Sequence, residues 1–167
     1  MNSTHTDSQL LRHCIALHSR SHDPHRQVGV VITDRDGNII SEGVNAPPER
    51  LGLSKADSHV LIGRDPDWKY FMLEHAERNA IHSSLARNVS LQGATMYASL
   101  YPCADCARAI VASGIMRLVV LREESENNRD ARWRLHRHYA DKAFGLGQVE
   151  VVFVELPAQE VDVGTEE

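Results

Sequence analysis

The order of apolar and polar positions divides this chain into short helices and strands. Thr6 and Gln9 are spaced as a capping box. Leu10, Leu11, Cys14, Ile15 and Leu17 then form an apolar stripe, which predicts a first helix ending near His18. Val28 to Thr33 is a β-branched run, Asp34-Arg35-Asp36-Gly37-Asn38 is a turn cluster, and Ile39 to Val44 is a second apolar run. Together they predict a hairpin whose loop is longer than two residues. From Asn45 to Tyr70 no period is sustained, and adjacent prolines and scattered glycines predict a long loop. Loops of this length are usually functional or disordered, and the place of this one directly before a histidine motif marks it as a binding loop.

Helical spacing returns from Glu74 to Arg87, with Ala76, Ala80, Ile81 and Leu85 expected on one inner face. Ala94 to Leu100 reads as a strand. Pro102 is expected to open the next helix, where its missing N–H costs nothing. That helix should turn Ala107, Ile110 and Val111 inward and stop near Gly114, and Arg117 to Leu121 reads as a buried strand. Asn128 is a cap for a helix bearing Trp133, His136, Ala140 and Phe144 and ended by Gly145 and Gly147. Val149 to Leu156 is the last strand, stopped by Pro157. A hairpin followed by strand–helix–strand units predicts an α/β fold with a mixed sheet and helices on both faces, its last unit a right-handed parallel crossover.

The length of 167 residues suits one domain, 1–167, with 1–7 and 158–167 as frayed tails. Hydrophobic content of 42% and charged content of 25% are those of a soluble globular chain. The formal charge of -5 argues against a polynucleotide partner, which would favour a basic face, but leaves room for a mononucleotide. Three cysteines, two of them in one C-x-x-C, are not a secreted disulfide framework and suit a reducing compartment. Met1 to Gln9 lacks the basic and apolar regions of a signal peptide, and no apolar run is long enough to cross a membrane. The expectation is a cytoplasmic protein without a membrane partner.

The chemistry is concentrated in His75-Ala76-Glu77 and Pro102-Cys103-Ala104-Asp105-Cys106. One imidazole and two thiols close three sides of a tetrahedral zinc site and leave the fourth for water, the arrangement of a catalytic rather than a structural ion. H-x-E…P-C-x-x-C is the pattern of zinc-dependent nucleobase deaminases. Cys103 and Cys106 share one side of a first helical turn, where the positive helix end favours thiolates. His75 and Glu77 both lean over an open end only if their helix starts there, so two helix N-termini should face one metal. Two thiolates neutralise the dication and acidify its water less than histidines would, so Glu77 is the candidate that removes the proton and passes it to a ring nitrogen and the leaving amine. A structural zinc with a fourth protein ligand, in a non-catalytic interaction module, is the competing reading. A redox pair lacks a thioredoxin-like context.

With these motifs on the page, the chain resembles the cytidine and deoxycytidylate deaminase superfamily, most nearly its dCMP deaminase branch. Ser21-His22-Asp23-Pro24, Gln27 to Ile32, Gly43-Val44-Asn45, Lys69-Tyr70, His75 to Ile81, Tyr97 to Ala107 and Ala112-Ser113-Gly114-Ile115 carry the likeness. It implies a cytidine-deaminase-like three-layer α/β/α sandwich around a five-stranded mixed sheet of order 2-1-3-4-5, the last two strands parallel. It also implies Zn2+ on His75, Cys103 and Cys106, Glu77 as proton shuttle, and a homo-oligomer. Asn45 would contact sugar or ring, the Ala76 N–H the ring carbonyl, and the Ser99 carbonyl the amino group. The expected reaction is hydrolytic deamination of a small amino-heterocycle, first of all a free nucleotide such as dCMP. Ala46-Pro47-Pro48 stands where relatives commonly have glycine after the asparagine, which keeps other bases, nucleosides, pterins or triazines as alternatives.

Further substrate candidates come from position alone. They are His59 in the long loop, Tyr101 at the pocket border, Trp68 and Tyr70 for stacking, His22 or His25 at the mouth, and Arg26, Arg50, Arg64 and Lys69 for a phosphate.

Overall fold

The computed structural model describes residues 5–122 and 131–157. One five-stranded sheet organises them, in the order β2-β1-β3-β4-β5. Its strands are β1 (Gly29–Thr33), β2 (Ile39–Val44), β3 (Thr95–Ala98), β4 (Arg117–Leu121) and β5 (Glu150–Val154). β1 pairs antiparallel with β2 and with β3, whereas β3–β4 and β4–β5 are parallel. The parallel half follows from its connections, since helix α5 (Ala104–Ala112) joins β3 to β4 and helix α6 (Ala131–Leu146) precedes β5.

Every residue of β1 is buried, so the central strand needs cover on both faces. Val31, with Tyr97 and Val119, packs under Leu10, Leu11, Cys14 and Leu17 of the first helix, α1 (Asp7–Ala16), and the turn after it. Val30 and Ile32 join Met96, Leu118 and Val120 beneath Ala80, Ile110, Ala140 and Phe144 of the opposite helices. The Thr6–Gln9 capping box is present and starts α1.

The segment 45–70 is not a loop throughout. Helix α2 (Lys55–Arg64) and the short helix α3 (Trp68–Met72) fold within it. α2 begins with a Ser54–Asp57 capping box, a start signal obscured by the weak amphipathicity of its sequence, which buries only Ser58 and Ile62.

Helix α4 (Ala76–Ala86) buries Ala76, Glu77, Ala80 and Ser84. The expected inner stripe is therefore rotated: Ile81 is half-buried and Leu85 is 73% exposed. The reason is the closeness of α4 to β2, which admits only small side chains between them. A Cβ on Gly43 would lie 2.2 Å from the Ala76 carbonyl oxygen. Ser41 Oγ donates to Ala80 O, and Asn79 Nδ2 donates to Val44 O and Ala46 O, sewing the helix to that edge.

Pro102 precedes the cap rather than opening the helix, because Cys103 itself is the N-cap of α5. The stop at Gly114 holds, in left-handed geometry at φ 86°. Gly145 lies inside α6. The proposed Asn128 cap, the tail 158–167 and residues 1–4 of the expected tail 1–7 fall outside the described residues, while Thr6 and Asp7 of that tail cap and open α1. Among the described residues no helix is long and apolar enough to cross a membrane.

Candidate metal centre and cavity

Two helix starts meet at the ends of β1 and β3. His75 is the N-cap of α4 and Cys103 that of α5, both in extended backbone geometry that swings their side chains over the helix ends. Cys106 follows one turn into α5. His75 Nδ1 lies 3.5 Å from Cys103 Sγ and 3.5 Å from Cys106 Sγ, and all three atoms fall within 4.8 Å of one another. Zinc with bonds of about 2.3 Å to sulfur and 2.0–2.1 Å to nitrogen, at tetrahedral angles, requires an N···S edge of about 3.6 Å. Both N···S distances thus match an edge of such a tetrahedron. Among the described residues no further His, Cys, Asp or Glu joins the group, which leaves one corner open.

The electrostatics suit a dication. The hydrogen bond from Cys106, assisted by His75, holds the Cys103 thiol far down, at about 4. The same Cys103 contact, together with burial, pushes Cys106 up, so the two sulfurs alone favour one thiolate rather than two. A divalent ion between them removes that repulsion. The bond to Cys103 also raises His75. Arg78 reaches back to Glu74 Oε1, which in turn accepts the His75 backbone N–H at 3.0 Å.

Glu77 is the buried carboxyl of the site, only 4% exposed. Burial pushes its pKa up against the opposing pull of His75. A carboxyl so placed is prepared to hold and release a proton.

These groups open into a cavity of about 520 Å³. Its lining includes His75, Ala76, Glu77, Cys103, Asn45, Tyr101 and Arg26 from the sequence-derived set, together with His25, Lys69 and Tyr70. Ser99, His59 and the fully buried Cys106 are not among the lining residues. Ser99 Oγ accepts from Gly29 N at 3.0 Å and bonds His18 Nε2 at 2.8 Å. His59 lies exposed on α2, whose formation carries it away from the cavity. His22, Arg50, Arg64 and Trp68 also lie off the lining.

Asn45 is buried and its amide holds the loop before β1: Oδ1 accepts from Ser21 Oγ and Val28 N, and Nδ2 donates to Arg26 O at 2.7 Å. Ala46 and Glu74 exchange backbone hydrogen bonds, so the Ala46-Pro47-Pro48 turn is pinned beside the metal ligands.

The cavity also contains groups that the sequence reading left without a role there. Asp23 accepts the N–H of His25 and of Arg26 and pairs with Lys69 Nζ at 3.1 Å. Burial works to raise its carboxyl, but these contacts override it and keep the group below the ordinary range. An Asp followed by Pro, as a turn-forming residue, was the available signal. Trp133, on α6, supplies an aromatic wall that no local pattern announces.

Residues 4–122 match the family model described as the cytidine and deoxycytidylate deaminase zinc-binding region. A probable deoxycytidylate deaminase of Caenorhabditis elegans is 35% identical over 125 residues, covering 74% of this chain and 59% of that protein. The human deoxycytidylate deaminase is 30% identical over 112 residues, 67% of this chain and 62% of that one. The chain thus spans 59% and 62% of the length of these two relatives. The apo crystal structure of dCMP deaminase from cyanophage S-TIM5 superposes with a TM-score of 0.64 at 17% identity, over 89% of this chain and 96% of that one. That likeness is one of fold.

Proposed function

The chain belongs to the cytidine and deoxycytidylate deaminase family, whose matched region binds zinc, and on that premise we propose that it hydrolytically deaminates a free pyrimidine nucleotide, with dCMP the first substrate. The observation that carries the reading is Glu77, a buried carboxyl beside three metal donors with an open corner, at the base of a nucleotide-sized cavity. His75, Cys103 and Cys106 would hold the zinc, which would supply the Lewis acidity needed to make water a nucleophile at neutral pH. Glu77 takes the proton from the attacking water, delivers it to the ring nitrogen next to the amino-bearing carbon, and assists departure of ammonia. Its raised pKa lets it hold the proton between these two transfers.

We assign the Ala76 N–H, at the open start of α4 on the cavity lining, to the ring carbonyl, while Ser99 lies off that lining and its carbonyl keeps only the role the family resemblance implies, toward the amino group. Asn45 has one amide hydrogen left after its bond to Arg26 O, and it is assigned to the sugar. Arg26 lines the cavity and has no ion pair among the described residues, whereas Lys69 is paired with Asp23, so Arg26 is the group assigned to the phosphate. The names of the sequence relatives motivate dCMP. The compartment consistent with this reading is the cytoplasm. A homo-oligomer would bury apolar surface such as Phe71 and Leu146.

Ammonia release from a panel of dCMP, CMP, deoxycytidine, cytosine and guanine tests the assignment. Turnover confined to the phosphorylated members supports it. Equal turnover of an unphosphorylated base moves the substrate class to free heterocycles. Zinc-loaded protein that releases ammonia from none of them leaves the non-catalytic module.

A further inference from the structure

Helix α6 grips the segment that delivers the two thiol ligands. Tyr101 stands two residues before Cys103, separated from it by Pro102 alone. Its phenol donates a short hydrogen bond to Asp141 Oδ1. One turn back on the same helix, the Arg137 guanidinium lies 3.7 Å from the centre of the Tyr101 ring and its Nε is 3.3 Å from Asp141 Oδ1. Phe153 of β5 stacks on Tyr101 with ring centres 5.8 Å apart and planes within 9°, and Phe144 meets it edge-on at 6.1 Å. On the far side of Cys103, His136 Nδ1 accepts the Ala104 N–H at 3.3 Å.

The ring of Tyr101 is thus held on its face, edge and hydroxyl, and a rigid proline passes that constraint to the N-cap cysteine. We propose that Asp141 is a positioning residue of the metal centre: with Arg137 it locks Tyr101, and through Tyr101 and Pro102 it fixes where Cys103 presents its sulfur to His75. His136 anchors the other flank of the same cysteine. Asp141 is itself exposed and lies outside both the cavity lining and the group of metal donors. Tyr101 therefore acts as a fixed wall of the cavity, with its hydroxyl already committed. This inference rests on the zinc-centred reading of the site and is independent of which heterocycle the enzyme takes.

The test measures zinc release from the loaded protein to a chromogenic chelator, and the visible spectrum of the cobalt(II)-substituted protein. The variants are Asp141→Ala, Tyr101→Phe and the double substitution. Asp7→Ala is the control, since it cuts a comparable ionic network, to Arg117 and the Tyr97 hydroxyl, that lines no part of the cavity. Asp141→Ala should release zinc about tenfold faster, the order set by losing a hydrogen bond to a charged group, and should shift the cobalt bands. Tyr101→Phe should act in the same direction, and the double variant should fall short of the product of the two effects, because both substitutions remove the Tyr101–Asp141 hydrogen bond while Asp141→Ala also removes the contact with Arg137. Asp7→Ala should change stability but neither readout. The proposal is overturned if Asp141→Ala behaves as Asp7→Ala does, or if the effects of the two substitutions add. Wild-type protein that fails to deaminate dCMP would sink the substrate reading while leaving this result intact.

Discussion

Replacing Gly43 by alanine tests how tightly α4, the helix that carries His75 and Glu77, is set against the sheet. The added Cβ would lie 2.2 Å from Ala76 O and 2.6 Å from Ala80 N, both backbone atoms of α4. An ordinary C···O contact is about 3.3 Å, so helix and strand must part by about 1 Å. The strand has little freedom, since β1 and β2 stay paired from Gly29↔Val44 to Thr33↔Ile39. The movement therefore falls on α4, and with it on His75, Ala76 and Glu77. Overpacking of this kind costs about 1–3 kcal/mol. A 1 Å displacement at a reacting centre costs about 10²-fold in rate. Gly43→Ala should accordingly lower the urea midpoint and, where the fold survives, reduce kcat by about two orders of magnitude with zinc still bound. Gly37→Ala is the control, because it carries a left-handed φ of 84° in open space and should cost stability without touching kcat. If Gly43→Ala keeps kcat within about threefold of wild type, a margin well inside that expectation, the helix is not held as argued and the link from its seating to catalysis fails.

Glu77→Gln should retain stoichiometric zinc by metal analysis and lose about 10³-fold in kcat, the scale of a missing general acid–base group. Arg26→Gln should raise KM for dCMP about tenfold, the order of a lost charge-assisted phosphate contact, and leave deoxycytidine kinetics unchanged. The Asp7 carboxyl is held below its ordinary 3.8 chiefly by the hydrogen bond from Arg117, with burial opposing. A depressed carboxyl contributes stability above its unfolded pKa and loses it as pH falls through the folded value. Asp7→Asn should thus cost about 1 kcal/mol at pH 7 after allowance for solvent screening, and the gap to wild type should close as urea titrations descend below about pH 4.

The parts of the fold legible in the chain were those where one strong local signal met its expected partner. The turn cluster at 34–38 gave the hairpin, and buried apolar runs gave β1, β3 and β4. The two metal segments were readable because their chemistry depends on residue type at short spacing, and short spacing survives folding. Less was legible in 45–70, where α2 buries only Ser58 and Ile62 and so lacks an apolar stripe. The misplaced inner face of α4 has a different origin. Leu85 is the more apolar residue, but the near approach of β2 at Gly43 selects Ala80 and Ser84 for the buried side. The cavity wall from α6 was invisible for a third reason: Trp133 joins Cys103 on the cavity lining only through tertiary packing, across a sequence distance that no local window spans.

The cage for the ion is built from the opening turns of two helices seated on the sheet, whereas much of the cavity's border comes from the 23–28 turn and from α3. Metal cage and cavity border thus hang from separate supports. Substitutions in the border can retune which ligand is admitted while the cage keeps its shape, so divergence is expected to run through Asp23, Arg26, Lys69 and Tyr70 long before it reaches His75, Cys103 and Cys106.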